Sequence, residues 1–169
     1  MNKRRNKRND SNKNSRRDDE FEQKLIDVAR VTRVMAGGKR MSFRACVVIG
    51  DKKGRVGMGL RKGIDVSVAI NKAVRAAKKS LIKVQIVNDT IPGQSRQKFG
   101  AARILLKPAP RGTGVIAGGA IRAVLELAGV KNVVAKIMGS KSKVNNVKAT
   151  IIALKNLRSI EQIKELRKK

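Results

Sequence analysis

The sequence contains no histidine, tyrosine or tryptophan, and only three phenylalanines, Phe21, Phe43 and Phe99. Without histidine the usual general base near neutral pH is missing. The acids between Phe21 and Leu154 are Glu22, Asp27, Asp51, Asp65, Asp89 and Glu126. They form no close pair of the acid/base kind, and no metal-ligand spacing occurs. An enzyme, a cofactor and a small-molecule substrate are therefore not expected. With so few rings, a single-strand reader that stacks bases on aromatic platforms is also disfavoured. The lone cysteine, Cys46, excludes an intramolecular disulfide. It lies in the apolar run Ala45-Cys46-Val47-Val48-Ile49 and reads as a small core-side residue, not a nucleophile. No apolar run is long enough to span a membrane, and the N-terminus has no apolar signal core. The expected location is the cytoplasm, with no membrane partner. A polybasic membrane-surface protein is the bland alternative, but no strongly amphipathic cationic helix stands out.

Acidic residues are scarce as well. Against 12 Asp plus Glu stand 41 Lys plus Arg, a net charge of +29. Residues 1–20 hold 8 basic and 4 acidic side chains, and the last 15 hold 6 and 2. That leaves 27 basic and 6 acidic between Phe21 and Leu154, a net +21. The basicity belongs to the folded surface and not only to the tails. Such self-repulsion benefits no free globular protein, and a polyanion is its natural compensation.

Along the chain, residues 1–20 are almost free of hydrophobic side chains and are expected to be a disordered basic tail. Such a tail either solubilises the chain or orders on RNA. Leu25 to Met35 is β-prone, with a bulge expected near Ala29-Arg30. Ala36 to Arg40 reads as a turn. Phe43, Ala45, Val47 and Ile49 then share one strand face, opposite Ser42, Arg44, Cys46 and Val48. Asp51-Lys52-Lys53-Gly54 reads as a hairpin turn, and Val56, Met58 and Leu60 as one face of the returning strand. Gly57 and Gly59 leave its other face thin enough for close approach. Asp65 can cap a helix to about Leu81, with an apolar stripe of Val66, Ala69, Ile70, Ala73, Ala77 and Leu81. Lys72, Arg75, Lys78 and Lys79 stay outside.

A second unit follows. Lys83 to Val87 reads as a strand, Asn88 to Gly100 as a polar loop, and Ala102 to Lys107 as a strand ended by Pro108 and Pro110. Arg111 to Gly119 is glycine-rich and opens a helix that Gly129 stops. Asn132 to Met138 is a strand, and a last helix starts near Ser142. The expected domains are 21–84 and 85–156, with a basic C-terminal extension at 157–169.

Two motifs carry the functional reading. Gly37-Gly38-Lys39-Arg40 joins backbone freedom to two cations, which suits a phosphate ridge and equally a solvated hairpin loop. Arg111-Gly112-Thr113-Gly114-Val115-Ile116-Ala117-Gly118-Gly119 precedes a helix, where exposed N–H groups bind anions well. A glycine turn needed only for close packing is its other reading. It is not a P-loop, because Ala120 follows Gly119 where Lys-Ser/Thr is required. It lacks the acidic residue that a dinucleotide site places about 20 positions on.

Laid out in this way, three segments resemble the bacterial small-subunit ribosomal protein number five (S-five) family. They are Gly37 to Phe43, Val48 to Gly57, and Gly112 to Glu126, with Ala128 to Val133 extending the match. The resemblance covers about Phe21 to Leu154. It implies an α+β chain of two small α/β domains. The first would be a double-stranded-RNA-binding-like domain of three antiparallel strands plus a packed helix. The second would be a βαβα domain with a left-handed crossover. It further implies binding to small-subunit rRNA near the head–body junction and the channel by which mRNA enters. The implied partners are that rRNA, the neighbouring small-subunit proteins four and eight, and mRNA, with roles in assembly and translational accuracy. The implied RNA-binding residues are Gly37, Gly38, Lys39, Arg40, Ser42, Phe43, Lys52, Lys53, Arg55, Arg61, Lys62, Arg111 and Thr113. Gly112, Gly114 and Arg122 are assigned to a protein interface, because the family's matching helix faces protein four. Arg111 stands where an acidic residue usually precedes Gly-Thr-Gly. Leu60 to Gly63 and Ser140 to Asn146 also depart from the family pattern. The alternative function is a free-standing double-stranded-RNA-binding protein, resting on the basic first unit alone.

Overall fold

A computed structural model describes residues 21–158. The expected tail at 1–20, and the extension beyond Arg158, lie outside the described residues. The first unit comprises β1 (Glu22–Met35), β2 (Gly38–Gly50), β3 (Arg55–Gly63), α1 (Val66–Lys79) and β4 (Ile82–Lys83). Its four strands form one antiparallel sheet in the order β1-β2-β3-β4. The expected three strands and packed helix are present. The strand expected at 83–87 is instead the two-residue β4, and it closes the first sheet beside Arg55 and Val56. The bulge in β1 falls between Leu25 and Asp27, not near Ala29. Its effect is to turn Ile26 into the protein core while Leu25 stays 47% exposed.

The glycines of β3 explain where α1 sits. A β-carbon at Gly59 would stand 1.9 Å from the Ala73 carbonyl oxygen, one at Gly57 2.6 Å from that of Ala77, and one at Gly63 2.6 Å from the Ala69 nitrogen. What approaches the thin face is the helix backbone itself. Ala69, Ala73 and Ala77 are its fully buried stripe, packed with Ala45, Val47 and Ile49 of β2. Asp65 occupies the N-cap with an extended backbone, but its side chain makes no capping hydrogen bond.

The opposite face of the same sheet is not solvated. Val48 and Val56 are 0% exposed and join one core with Ile104, Leu106, Ile121, Val124 and Leu125. The second unit covers that face, so Ala45 to Gly50 is buried throughout. A continuous apolar run is the pattern of a strand buried on both sides.

The second unit comprises β5 (Ser95–Phe99), β6 (Ala102–Pro108), β7 (Val115–Ile116), α2 (Gly119–Ala128), β8 (Val133–Ile137) and α3 (Lys143–Lys155). Its mixed sheet runs β5-β6-β8-β7, with β7 parallel to β8 across α2. The expected βαβα order is present as β6-α2-β8-α3, and two further strands join it. β5 lies in the stretch expected to be a loop, and β7 lies within the glycine-rich segment. β5 is an edge strand with Arg96 and Lys98 exposed. Charged edges of this kind hide a strand from hydrophobic pattern reading. α2 is buried nearly all round and leaves Gly119, Arg122 and Glu126 exposed.

The two units are clasped through the β2–β3 turn. The Lys52 and Gly54 amides donate to the Leu127 and Ala128 carbonyls at 3.0 and 2.9 Å. Those carbonyls end α2 and have no partner within the helix. The turn is shaped by Asp51, whose carboxylate accepts from the Lys53 amide (2.8 Å), the Arg55 amide (2.9 Å) and Arg55 Nε (2.6 Å). Burial raises the Asp51 carboxyl, but the Arg55 side chain and these two amides outweigh burial and hold it below its ordinary value. Its stabilising contribution is therefore present above the ordinary carboxylate range and is lost as pH falls through the lowered folded value. Asp51→Ala is expected to cost about 1.5 kcal/mol at neutral pH, the lower range for hydrogen bonds to a charged group. In urea unfolding, that cost should shrink on the acid side of the carboxylate range. A pH-independent cost would mean that Asp51 acts by packing alone.

Candidate nucleic-acid interface

β1 and β2 continue as a ribbon beyond the sheet. β3 reaches only to Phe43, paired with Gly63, while β2 begins at Gly38. Five residue pairs therefore project about 17 Å with no third strand among the described residues, and Thr32 to Met41 are all exposed. The turn is shorter than expected. Met35 pairs with Gly38, leaving Ala36-Gly37 as a two-residue loop. Gly37, at φ +83°, supplies the left-handed position that such a turn needs. Lys39 and Arg40 are strand residues opposite Val34 and Arg33, not turn residues. By strand alternation they point to opposite faces of the ribbon.

That register adds Arg33, which the sequence reading missed. Arg33 faces Arg40 directly, a like-charge pair that destabilises a ribbon in the absence of an anion. Counting outward from Ala36-Gly37 would have found it, had the turn been placed there. Val34 (74% exposed), Met35 and Met41 add large apolar side chains near the tip. Ser42 is half-buried. Phe43 is half-buried, packs against the first core and stands at the base of the ribbon.

The remaining expected residues do not form one site with the hairpin. Lys52, Lys53 and Arg55 lie at the other end of β2, about 40 Å from Gly38 at strand rise. Lys52 is ion-paired with Glu22, and Arg55 with Asp51, with Arg55 also stacked 5.0 Å from the Phe21 ring. That turn is primarily the clasp on α2. Arg61 and Lys62 are neighbours in sequence but alternate across the sheet. Arg61 shares the row of Gly57, Gly59 and Gly63 that faces α1, and Lys62 the opposite row.

In the glycine-rich segment, part of the backbone is held by the protein itself. Asn132, 6% exposed, accepts the Gly112 and Gly114 amides through one side-chain oxygen, both at 3.1 Å. The Thr113 amide donates to the Pro110 carbonyl at 3.4 Å. The amides of Gly112, Thr113 and Gly114 are thus used inside the protein. Arg111 is exposed and Thr113 half-buried. Arg122 projects from α2 into solvent. Cys46 is 1% exposed, and burial, followed by the nearby Asp27 charge, pushes its thiol up to about 11. It carries no thiolate chemistry at neutral pH.

Five of the six acids among the described residues are ion-paired within the fold. Lys24 of β1 reaches Glu126 of α2 at 3.0 Å, and Asp27 of β1 takes Lys143 of α3 at 3.4 Å and Arg44 at 3.8 Å. Asp89 takes Lys131 at 3.3 Å. The negative charge therefore gathers mostly at the seam between units, and the outward faces are left positive.

Comparison with known proteins agrees with this architecture. A family model described as ribosomal protein S5, N-terminal domain, matches residues 21–85, and one described as ribosomal protein S5, C-terminal domain, matches residues 97–167. The chain is 50% identical over 156 residues to the small ribosomal subunit protein uS5 of Prochlorococcus marinus (strain MIT 9215), covering 92% of this chain and 75% of that one. It is similar to the protein of the same name from Mycoplasma mobile, with 50% identity over 157 residues, covering 92% of this chain and 65% of that one.

Proposed function

The chain belongs to the ribosomal protein S5 family, and on that premise we propose that it is a structural constituent of the small ribosomal subunit, held there by rRNA. Its work is binding and positioning, not catalysis. The observation that carries the RNA reading is the projecting ribbon. It exposes Arg33, Lys39 and Arg40, contains no acid from Ala29 to Gly50, and among the described residues has no third strand to support it. A two-stranded ribbon is marginal in water, and a polyanionic partner supplies what it lacks. In the family's arrangement the ribbon would reach rRNA of the head, near the head–body junction and the channel by which mRNA enters. The exposed stripe of α2 would meet protein four, with protein eight as the second protein neighbour. Assembly and translational accuracy would follow from these contacts.

The alternative of a free-standing double-stranded-RNA-binding protein loses support from the core. Without the second unit, Val48 and Val56 would be stripped bare on the open face of the first sheet. Co-sedimentation with small subunits in high-salt sucrose gradients separates the two readings. A protein that stays at the top of the gradient overturns the ribosomal one.

Replacing both Lys39 and Arg40 with Ala should leave circular dichroism unchanged and melting unchanged or slightly raised, because the ribbon tip buries little and the repulsion between Arg33 and Arg40 is removed. The same variant should weaken retention on small subunits at high salt and shift the response to head-binding antibiotics. Simple unfolding of the variant would make the ribbon structural. Arg122→Ala should change stability by no more than about 0.5 kcal/mol, as expected for a solvated side chain, yet raise codon misreading in assembled ribosomes. Unaltered misreading would remove Arg122 from the protein interface.

A further inference from the structure

We propose that the outer face of α1, together with Arg61, is a second RNA-binding surface that grips the phosphate backbone of folded RNA independently of the hairpin. The proposal rests on the reading that this chain binds rRNA, and adds to Arg61, already among the expected RNA-binding residues, a helix face which that reading did not include. Arg61 from β3 and Lys72, Arg75 and Lys79 from α1 line one shallow depression, floored by Ala76. All four cations are exposed. The three on the helix are spaced i, i+3 and i+7, a single stripe about 10 Å long.

Among the described residues, no carboxylate faces this stripe. Five of the six acids among the described residues are ion-paired elsewhere: Glu22, Asp27, Asp51, Asp89 and Glu126. The sixth, Asp65, stands at the start of the helix, about 10 Å along the axis from Lys72, the nearest of the three helix cations. The cations at the C-terminal end of α1 are matched to the helix dipole, but Lys72 and Arg75 lie too far from it for that benefit. Nor does the fold require these charges, since they point away from the core that Ala69, Ala73 and Ala77 make.

The surface is also rigid. Backbone contact between α1 and the glycines of β3 fixes the helix on the strand, so four like charges cannot relax apart by helix movement. A fixed, uncompensated cation cluster is preorganised for a polyanion. The chemistry favours RNA over an acidic protein segment. Apart from Ala76 the lining offers no apolar side chain to hold a peptide, whereas phosphates need only cations and hydrogen-bond donors. α1 also covers the sheet face opposite the second unit, so this contact is separate from the seam.

The test uses the full chain, a perfectly paired RNA duplex of about 20 base pairs, and small-subunit rRNA as probes. Replacing Arg61, Lys72, Arg75 and Lys79 together with Ala should weaken duplex binding at least about tenfold. It should also make the slope of log affinity against log salt less steep by about 3, as expected when four phosphate contacts are lost. The Lys39, Arg40 double variant should leave most of the duplex slope in place. A charge-preserving variant, R61K with R75K, should keep it as well. If the quadruple variant binds with the wild-type slope while wild type still binds rRNA, this surface is not an RNA contact. If wild type itself fails to bind rRNA, the functional reading fails first.

Lysine acetylation of the unmutated protein avoids any question of folding. Lys72 and Lys79 should be protected by rRNA alone. Modification at the free rate overturns the proposal. So does protection that requires added ribosomal proteins, which would assign the face to an acidic protein partner.

Discussion

Valine in place of Gly59 is expected to unfold the first unit. Its β-carbon would stand 1.9 Å from the Ala73 carbonyl oxygen, 2.7 Å from that carbonyl carbon and 2.9 Å from the Ala77 nitrogen. All three are backbone atoms, so no side-chain rotation relieves the overlap. Either α1 lifts from β3 and uncovers Ala45, Val47 and Ile49, or the strand buckles. Ordinary overpacking costs about 1–3 kcal/mol, and a collision with helix backbone that no rotamer relieves exceeds it. A loss of about 4 kcal/mol or more is expected, a large share of a typical domain's stability. Thermal melting should fall by more than about 10 °C. Gly119→Ala is the internal control. Nothing lies within 4 Å of the β-carbon it would add, and it opens α2, so its stability should hold or rise. A Gly59 variant that melts like wild type would mean that α1 is not seated on the β3 backbone.

Gly129→Ala should nearly match that loss, but at the seam. Gly129 ends α2 at φ +87°, where an L side chain is strained by about 1–2 kcal/mol. An added β-carbon would also stand 2.1 Å from the Lys52 carbonyl oxygen. The β2–β3 turn would have to withdraw, and the bonds from Lys52 and Gly54 to the end of α2 would break with it. A total of about 3 to 5 kcal/mol is expected. Because the seam opens, Cys46, shielded on β2, should become reactive to thiol reagents well before global melting. A variant that loses stability with no change in Cys46 reactivity would place the damage in α2 alone.

Where sequence reading and structure part, the cause is contact between segments distant in the chain. β5 was missed because an edge strand satisfies only one side and can carry Arg96 and Lys98 outward. Lys39 and Arg40 read as turn residues because the turn was placed over Ala36 to Arg40, whereas the register puts both on β2, opposite Val34 and Arg33. The amides of Gly112 to Gly114 looked open because the residue that binds two of them, Asn132, lies 18 to 20 positions away. Lys52 and Arg55 looked free because their acids were counted as sparse and not as placed.

Several properties followed from the sequence alone. Its charge balance, +21 between Phe21 and Leu154, points to a polyanion as the natural compensation whatever the fold. The missing histidine and the scattered acids remove the usual catalytic groups, and local periodicity placed α1, α2, α3, β2, β3, β6 and β8 close to where they form. These are local or additive quantities, readable without knowing which segments meet. Only the tertiary structure decided that Val48 and Val56 face a second unit, that the Asp51 turn caps α2, and that Arg61 parts from Lys62 to join Lys72, Arg75 and Lys79. The physical reason is that strand register and the close seating of α1 on glycine set which cations share a face, while ion pairing at the seam sets which of them remain uncompensated.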